Sequence, residues 1–134
     1  MKIKTKTKGF TLVELIVVIA VIMVLAGLLM PKFAAYQAKA KETKAINTAK
    51  QIQTAAMTSY SEKNGIFEKA AVESAVSLLT QAGTVTGTVD ATGKQLTVDY
   101  KSDSDSYKTV IKDDSTFIVS KGSGVDETQI YPKQ

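Results

Sequence analysis

The sequence predicts an α+β protein in which one long N-terminal helix packs on a small antiparallel β-sheet of three or four strands. Between Leu15 and Met30 no side chain is polar, which indicates a helix that spans a membrane or is covered on all sides. From there to Tyr60, small and apolar residues recur three or four positions apart, the spacing of one helical face. After Gly83 the period changes to two, as in strands that bury one face.

A single helix is expected from Phe10 to about Glu62, apolar on all sides at first and amphipathic afterwards. The stripe that would face the sheet consists of Ala45, Ala49, Ile52, Ala56 and Tyr60. Asn64-Gly65 predicts the end of this helix, because glycine is the usual residue just past a helix C-terminus.

A second, short helix is predicted over roughly 70–82. Val72, Val76 and Leu79 have the spacing of one helical face, and Gly83 would stop the helix.

The sheet is predicted from apolar residues that alternate with polar ones between turns rich in Asp, Gly and Ser. The strands are expected near 84–89, 95–100, 106–112 and 115–120. The tail, 121–134, has no clear period. We expect Ile130 and Tyr131 to pin this tail to the sheet.

The composition argues against the common enzyme classes. The chain has no Cys and no His, so thiolate chemistry, disulfides and the commonest general base are all absent. All 17 basic residues are Lys, and four of them precede Phe10. Without residues 1–9 the chain has 13 lysines and 13 acidic residues, so the net charge of +4 reports the N-terminal segment and not a nucleic-acid partner. Neither an enzyme nor a nucleic-acid-binding protein is expected, and the lysines of the long helix are predicted to form a solvated face.

The N-terminal segment combines a basic leader with a carboxylate inside an apolar span. Four lysines in residues 1–9 would hold the N-terminus on the cytoplasmic side of a membrane. Glu14 lies near the start of the span, where an ionisable group is costly and indicates a function. A cut between Gly9 and Phe10 would create an α-amino group one helical turn away, which would serve as the cationic partner of Glu14.

Two simpler interpretations of this segment fit less well. A secretory signal peptide has an apolar region of only about 7–15 residues, and the run here is longer and ends in Met30-Pro31-Lys32. A plain single-pass anchor explains the lysines and the span but leaves Glu14 without a role.

Together, the lysine-rich leader, Gly9, Phe10-Thr11-Leu12-Val13-Glu14 and the apolar run resemble the class III signal peptide of type IV pilins and pseudopilins. The resemblance covers roughly the first 30 residues. It implies that a prepilin peptidase cuts after Gly9 and methylates Phe10, and that Glu14 pairs with the amine of Phe10 in an adjacent subunit during assembly.

Gly27 and Pro31 are helix-loosening candidates. An interior proline removes one backbone hydrogen bond and favours a kink near Gly27. The resemblance implies in addition that this region melts locally when subunits pack into a filament.

The domain organisation that follows has three parts. They are a cleaved cytoplasmic leader (1–9), a transmembrane and filament-core helix (10–31) and a globular domain (32–134). Within the globular domain we expect helix 32–62, a connecting region 63–83, the sheet 84–120 and the tail 121–134. The protein would lie in the cytoplasmic membrane before assembly and in an extracellular pilus filament afterwards.

The function expected from the resemblance is that of a structural subunit of a type IV pilus, without cofactors. Its partners would be further copies of itself, the prepilin peptidase, and the assembly platform with its ATPase. The face of the long helix opposite the stripe, with Ala38, Lys39, Glu42 and Asn47, would pack between subunits. Twitching motility, cell adhesion, secretion and DNA uptake remain open as the task of such a filament.

Two alternatives remain open. The first is a major pseudopilin of a type II secretion or competence DNA-uptake system. The second, of another class, is a membrane-anchored surface binding module that does not polymerise.

No metal site is expected, although two acidic clusters are weak calcium candidates. One is Asp103 with Asp105, and the other is Asp126 with Glu127. Calcium takes six to eight oxygen ligands, and neither cluster shows a full set. The resemblance favours the second cluster, because some major pseudopilins hold calcium in a C-terminal loop. Solvated turns are the expectation for both.

Overall fold

The computed structural model describes residues 9–79, 85–122 and 124–132 of the 134-residue chain. The chain divides into two compact units, Met1–Ala38 and Lys39–Gln134. The fold class is confirmed: a long N-terminal helix and a small antiparallel sheet form an α+β protein.

Helix α1 runs from Leu12 to Glu62, and Pro31 lies inside it. It begins two residues after the predicted start at Phe10, because Thr11 caps its N-terminus. The first unit contains the apolar part of this helix, and the second unit contains the amphipathic part.

The predicted end of α1 is confirmed, and both Asn64 and Gly65 have positive φ there, with 78° at Gly65. Asn64 has a φ of 57°, and the Gly65 N–H donates to the Tyr60 carbonyl at 3.0 Å. This hydrogen bond is the six-to-one bond of a Schellman motif, in which Asn64 is the residue just past the C-cap. The chain then turns into α2, Lys69–Leu79, which buries Val72 and Val76. The predicted stop at Gly83 lies outside the described residues.

Five antiparallel strands form one sheet in the part of the chain that the structure describes, in the order β1-β2-β3-β4-β5. They are β1 Thr86–Val89, β2 Gln95–Ser102, β3 Asp105–Lys112, β4 Phe117–Lys121 and β5 Thr128–Tyr131. The predicted number of three or four strands was therefore wrong. The additional strand comes from the tail. Its four residues bury only Ile130, which is too little to produce a visible period of two.

The predicted stripe of α1 packs on the inner face of the sheet. Ala45, Ala49, Ile52 and Ala56 are fully buried, and Tyr60 is half-buried. Small alanine side chains let the helix backbone come close enough for the Tyr100 hydroxyl to donate to the Ala45 carbonyl at 2.8 Å. The inner face of the sheet supplies Leu96, Val98, Tyr100, Tyr107, Ile111, Val119 and Ile130 to the same core.

The expectation that Ile130 and Tyr131 pin the tail is confirmed. Ile130 is 7% exposed and belongs to the core. The Tyr131 ring stacks on Phe117 with 4.9 Å between the centroids, and the Lys50 ammonium lies 5.8 Å from the same ring. Packing on strand β4 and on α1 thus holds the tail without a disulfide.

The buried hydroxyl of Tyr100 predicts a loss of stability in alkali. Burial raises the pKa of Tyr100, whereas the pKa of a tyrosine in an unfolded chain is about 10. The stability that the neutral side chain contributes is fully present below the unfolded pKa and is lost as the pH rises towards the folded pKa. We therefore expect the melting temperature of the detergent-solubilised protein to fall as the pH rises above about 10.

The variant Tyr100→Phe isolates this contribution. At neutral pH it loses one hydrogen bond, which costs about 0.5–1.5 kcal/mol of unfolding free energy. Above about pH 10 its melting temperature should fall less steeply than that of the wild type, because the group that titrates has been removed. An equally steep fall in both proteins would show that another group causes the alkaline loss.

Candidate processing and assembly site

Gly9 and Phe10 lie ahead of α1 and are open to solvent. Phe10 is 88% exposed, and a Cβ atom added at Gly9 would meet nothing within 4 Å. Both residues of the predicted cleavage bond are therefore accessible to an enzyme. Cleavage and methylation at this bond stay predictions.

Thr11 and Glu14 form a capping box at the start of α1. The Thr11 N–H and the Thr11 hydroxyl both donate to Glu14 Oε2 at 2.8 Å, and the Glu14 N–H donates to Thr11 Oγ1 at 3.3 Å. This reciprocal arrangement satisfies two backbone donors that a helix N-terminus otherwise leaves free. It also holds the carboxylate at the positive end of the helix macrodipole.

The role of Thr11 was missed in the sequence, although its signal was present. The spacing Thr-x-x-Glu ahead of an apolar run is the signature of a capping box, and Thr11-Leu12-Val13-Glu14 carries it. The carboxylate of Glu14 therefore has a partner on its own chain. Within the described residues it contacts no cation, so its predicted pairing with an amine stays a prediction.

The apolar part of α1 has no protein cover in the single chain. An 18-residue window with a mean hydropathy of 3.1 is 0% buried, and by length and composition the helix is sufficient to cross a membrane. The exposed large apolar side chains between Phe10 and Tyr36 lie on all sides of the helix. They include Leu12, Leu15, Ile16, Ile19, Ile22, Leu25, Leu28 and Phe33. An exposed apolar surface of this size has to be covered by lipid or by other protein molecules.

The two helix-loosening candidates lie within this apolar part. A Cβ atom at Gly27 would meet nothing within 4 Å, and the α-helix continues past Pro31. Loosening of the helix during assembly stays a prediction.

Three of the four carboxylates in the calcium candidates bind lysines in the structure. Asp103 pairs with Lys44, and Asp105 pairs with Lys121 at 3.0 Å. Within the described ranges, no group of three or more acidic side chains is placed to hold a metal.

In the second calcium candidate, too, a lysine binds one of the carboxylates. The Glu127 carboxylate accepts a hydrogen bond from the Lys108 ammonium, and both side chains are about three-quarters buried. This contact raises the pKa of Lys108, so its ammonium group stays charged. Asp126 ends a short 3-10 turn and is exposed. A calcium ion at this loop would therefore have to displace a lysine from Glu127.

The N-terminal segment is similar to known proteins of one kind. Residues 4–30 match the family model described as the prokaryotic N-terminal methylation motif. The chain is 39% identical over 59 residues to the type IV major pilin protein PilA of Myxococcus xanthus. It is 42% identical over 65 residues to the type IV major pilin protein PilE of Neisseria gonorrhoeae. The alignments cover 44% and 48% of this chain but only 27% and 38% of these two relatives.

One relative aligns over most of the chain. The type IV major fimbrial protein FimA of Dichelobacter nodosus is 28% identical over 112 residues, which is 80% of this chain and 70% of FimA. No solved structure matches the chain. The methylation motif, the similarity to major pilins, and the long apolar helix with its small antiparallel sheet agree with one another, and together they support a relationship to the type IV pilin family.

Proposed function

We propose that this protein is the structural subunit of a type IV pilus filament. The observation that carries the proposal is the arrangement of the N-terminal segment. The Gly9-Phe10 peptide bond is exposed, and Glu14 follows it in a capping box with Thr11. An apolar helix that is exposed on all sides comes next. A soluble monomer would have to leave this apolar surface in water, whereas a membrane and then a filament core would cover it.

Before assembly, the subunit lies in the cytoplasmic membrane as a single-pass protein. The four lysines of residues 1–9 hold its N-terminus on the cytoplasmic side. A prepilin peptidase removes these residues and methylates Phe10. The assembly platform and its ATPase then move the subunit into an extracellular filament.

During assembly, Glu14 pairs with the amine of Phe10 in an adjacent subunit. In the single chain the carboxylate is directed back to Thr11, so it is already oriented at the start of the helix. In the apolar filament core an ion pair is strong and an unpaired charge is costly. The pairing therefore selects the register in which the helices pack. Loosening around Gly27 and Pro31 would adjust the helix to that packing.

Major pilins and fimbrial proteins are the named relatives, and this favours a pilin over a pseudopilin or an anchored binding module. These names describe structural subunits, and we propose no catalytic role for this chain.

The mass and N-terminal sequence of the protein in material sheared from cells test the proposal. A chain that begins at N-methylated Phe10 and is abundant in sheared fibres is the expected result. The same processed chain found only in membranes would favour a pseudopilin. A chain that still begins at Met1 would favour the anchored binding module and would contradict the proposal.

A further inference from the structure

The folded unit that begins at Lys39 has two ends, defined by the turns of its sheet. The β1–β2 and β3–β4 turns share one end, where the Asp113 N–H donates to the Lys94 carbonyl at 3.0 Å. The end of α1 lies there too, because the Phe67 N–H in the following loop donates to the Gly93 carbonyl at 2.8 Å. The β2–β3 turn lies at the opposite end, where Asp103 binds Lys44 near the start of the unit.

Positive charge is left over at the end that carries the β2–β3 turn, which we call the basic end. Its ion pairs, Lys44 with Asp103 and Lys121 with Asp105, cancel each other's charge. Lys39 and Lys41 remain, both exposed, and neither forms an ion pair within the described residues. Lys101, near the end of β2, is exposed and is likewise unpaired in the part of the chain that the structure describes. Two carboxylates oppose these three lysines, the half-buried Glu42 and the exposed Asp126 in the loop between β4 and β5.

Negative charge is left over at the other end, which we call the acidic end. Its ion pairs, Lys94 with Asp113 and Lys63 with Glu68, also cancel. The carboxylates that remain are Asp90, Asp114 and Glu62, which are opposed by Lys112.

Backbone hydrogen bonds fix two of these carboxylates in place. Asp90 accepts from the N–H groups of Lys94 and Gln95, each at 2.9 Å, and Asp114 accepts from the Thr116 N–H at 2.9 Å. Together with hydroxyl hydrogen bonds from Thr92 and Thr116, these contacts lower the pKa of both carboxyl groups. Both therefore stay ionised and oriented, although their charge has no lysine partner among the described residues.

We propose that the acidic end of one subunit docks on the basic end of the next. The two surfaces belong to opposite ends of one folded unit, so they cannot meet within one molecule. A head-to-tail contact of this kind is heterologous, and heterologous contacts produce open helical assemblies. The inference rests on the proposed filament function and adds to it a specific electrostatic contact outside the apolar helices.

Charge reversal at each end tests the contact. The basic-end variant carries Lys39→Glu and Lys41→Glu. The acidic-end variant carries Glu62→Lys and Asp114→Asn, and the asparagine keeps the oxygen that Thr116 binds. Like charges placed opposite each other are costly, so each variant should lower the yield of sheared filaments roughly tenfold. The variant with all four substitutions restores complementary charges and should recover most of the yield.

Lys112→Glu is the matched control. Like each substitution of the basic-end variant, it replaces an exposed lysine by glutamate, but it does so at the acidic end. Its filament yield should not fall. Thermal melting of each detergent-solubilised variant verifies that it is folded. Wild-type filaments should also release more subunits at about 1 M NaCl, where the Debye length is about 3 Å.

The outcomes separate this inference from the proposed function. A basic-end variant that assembles like the wild type would overturn the contact, and so would a four-substitution variant that assembles no better than its parents. In the second case each end has a different partner, such as lipid headgroups or the assembly machinery. Filaments that are insensitive to salt would overturn it as well. A wild-type chain that forms no filaments would instead remove the proposed function, and the contact with it.

Discussion

Glu14→Gln is expected to abolish filament formation while the chain remains folded and inserted. Glutamine can replace glutamate in a capping box, so the start of α1 is preserved. The charge is lost, however, and the amine of Phe10 in the adjacent subunit would remain unpaired in the apolar core. Breaking a buried ion pair from one side costs about 3–5 kcal/mol, and each 1.4 kcal/mol is a factor of about ten. The ratio of this protein in sheared fibres to that in membranes should therefore fall by more than about a hundredfold.

Thr11→Val is the control that separates the charge from the cap. It removes the hydroxyl that bonds both Glu14 and its backbone N–H, but it keeps the carboxylate. The loss of an N-cap costs about 0.5–2 kcal/mol, so filament yield should fall much less than with Glu14→Gln. Normal yield from Glu14→Gln would contradict the proposed pairing. An equal loss in both variants would mean that Glu14 acts through the helix cap alone.

Gly9→Val is expected to leave residues 1–9 attached and thereby to prevent assembly. A Cβ atom at Gly9 meets nothing within 4 Å, so the substitution does not disturb the fold. The resemblance to prepilin leaders places this glycine immediately before the cleaved bond, where a peptidase has to accommodate it. Without cleavage, the amine of Phe10 does not form and four lysines stay on the cytoplasmic side. Intact mass should show the full-length chain, and no fibres should be sheared from the cells.

Gly27→Ala is the matched control for processing. Its added methyl group also meets nothing within 4 Å, but it lies in the middle of the apolar helix. This variant should be cleaved like the wild type. A Gly9→Val chain that begins at N-methylated Phe10 would show that the cleavage site has been misplaced.

The long helix could be predicted closely because its signals are local. The helix ends at Glu62 as expected and begins within two residues of the expected start. An apolar run and a stripe of fixed period specify a helix without reference to distant residues. The capping box of Thr11 and Glu14 is equally local and could have been identified from its spacing.

The tail shows what local pattern does not reveal. Strand β5 buries one side chain, and its register against β4 shifts at Val119/Ser120. Its strand conformation depends on hydrogen bonds to β4 and on the stacking of Tyr131 against Phe117. These contacts join β5 to residues on another strand. The period and composition of the tail therefore do not reveal them.

By itself, the sequence determined the membrane-length helix, the spacing of Gly9, Phe10 and Glu14 at its start, and the α+β class. Each of these follows from contiguous residues. The tertiary structure alone decided which charges cancel. It brought Lys108 to Glu127 and Lys44 to Asp103, which removed carboxylates from the calcium candidates. It also left an excess of unpaired lysines at one end of the folded unit and an excess of unpaired carboxylates at the other. Charges interact according to their distance in space, and only folding brings residues that are tens of positions apart to within a few ångströms.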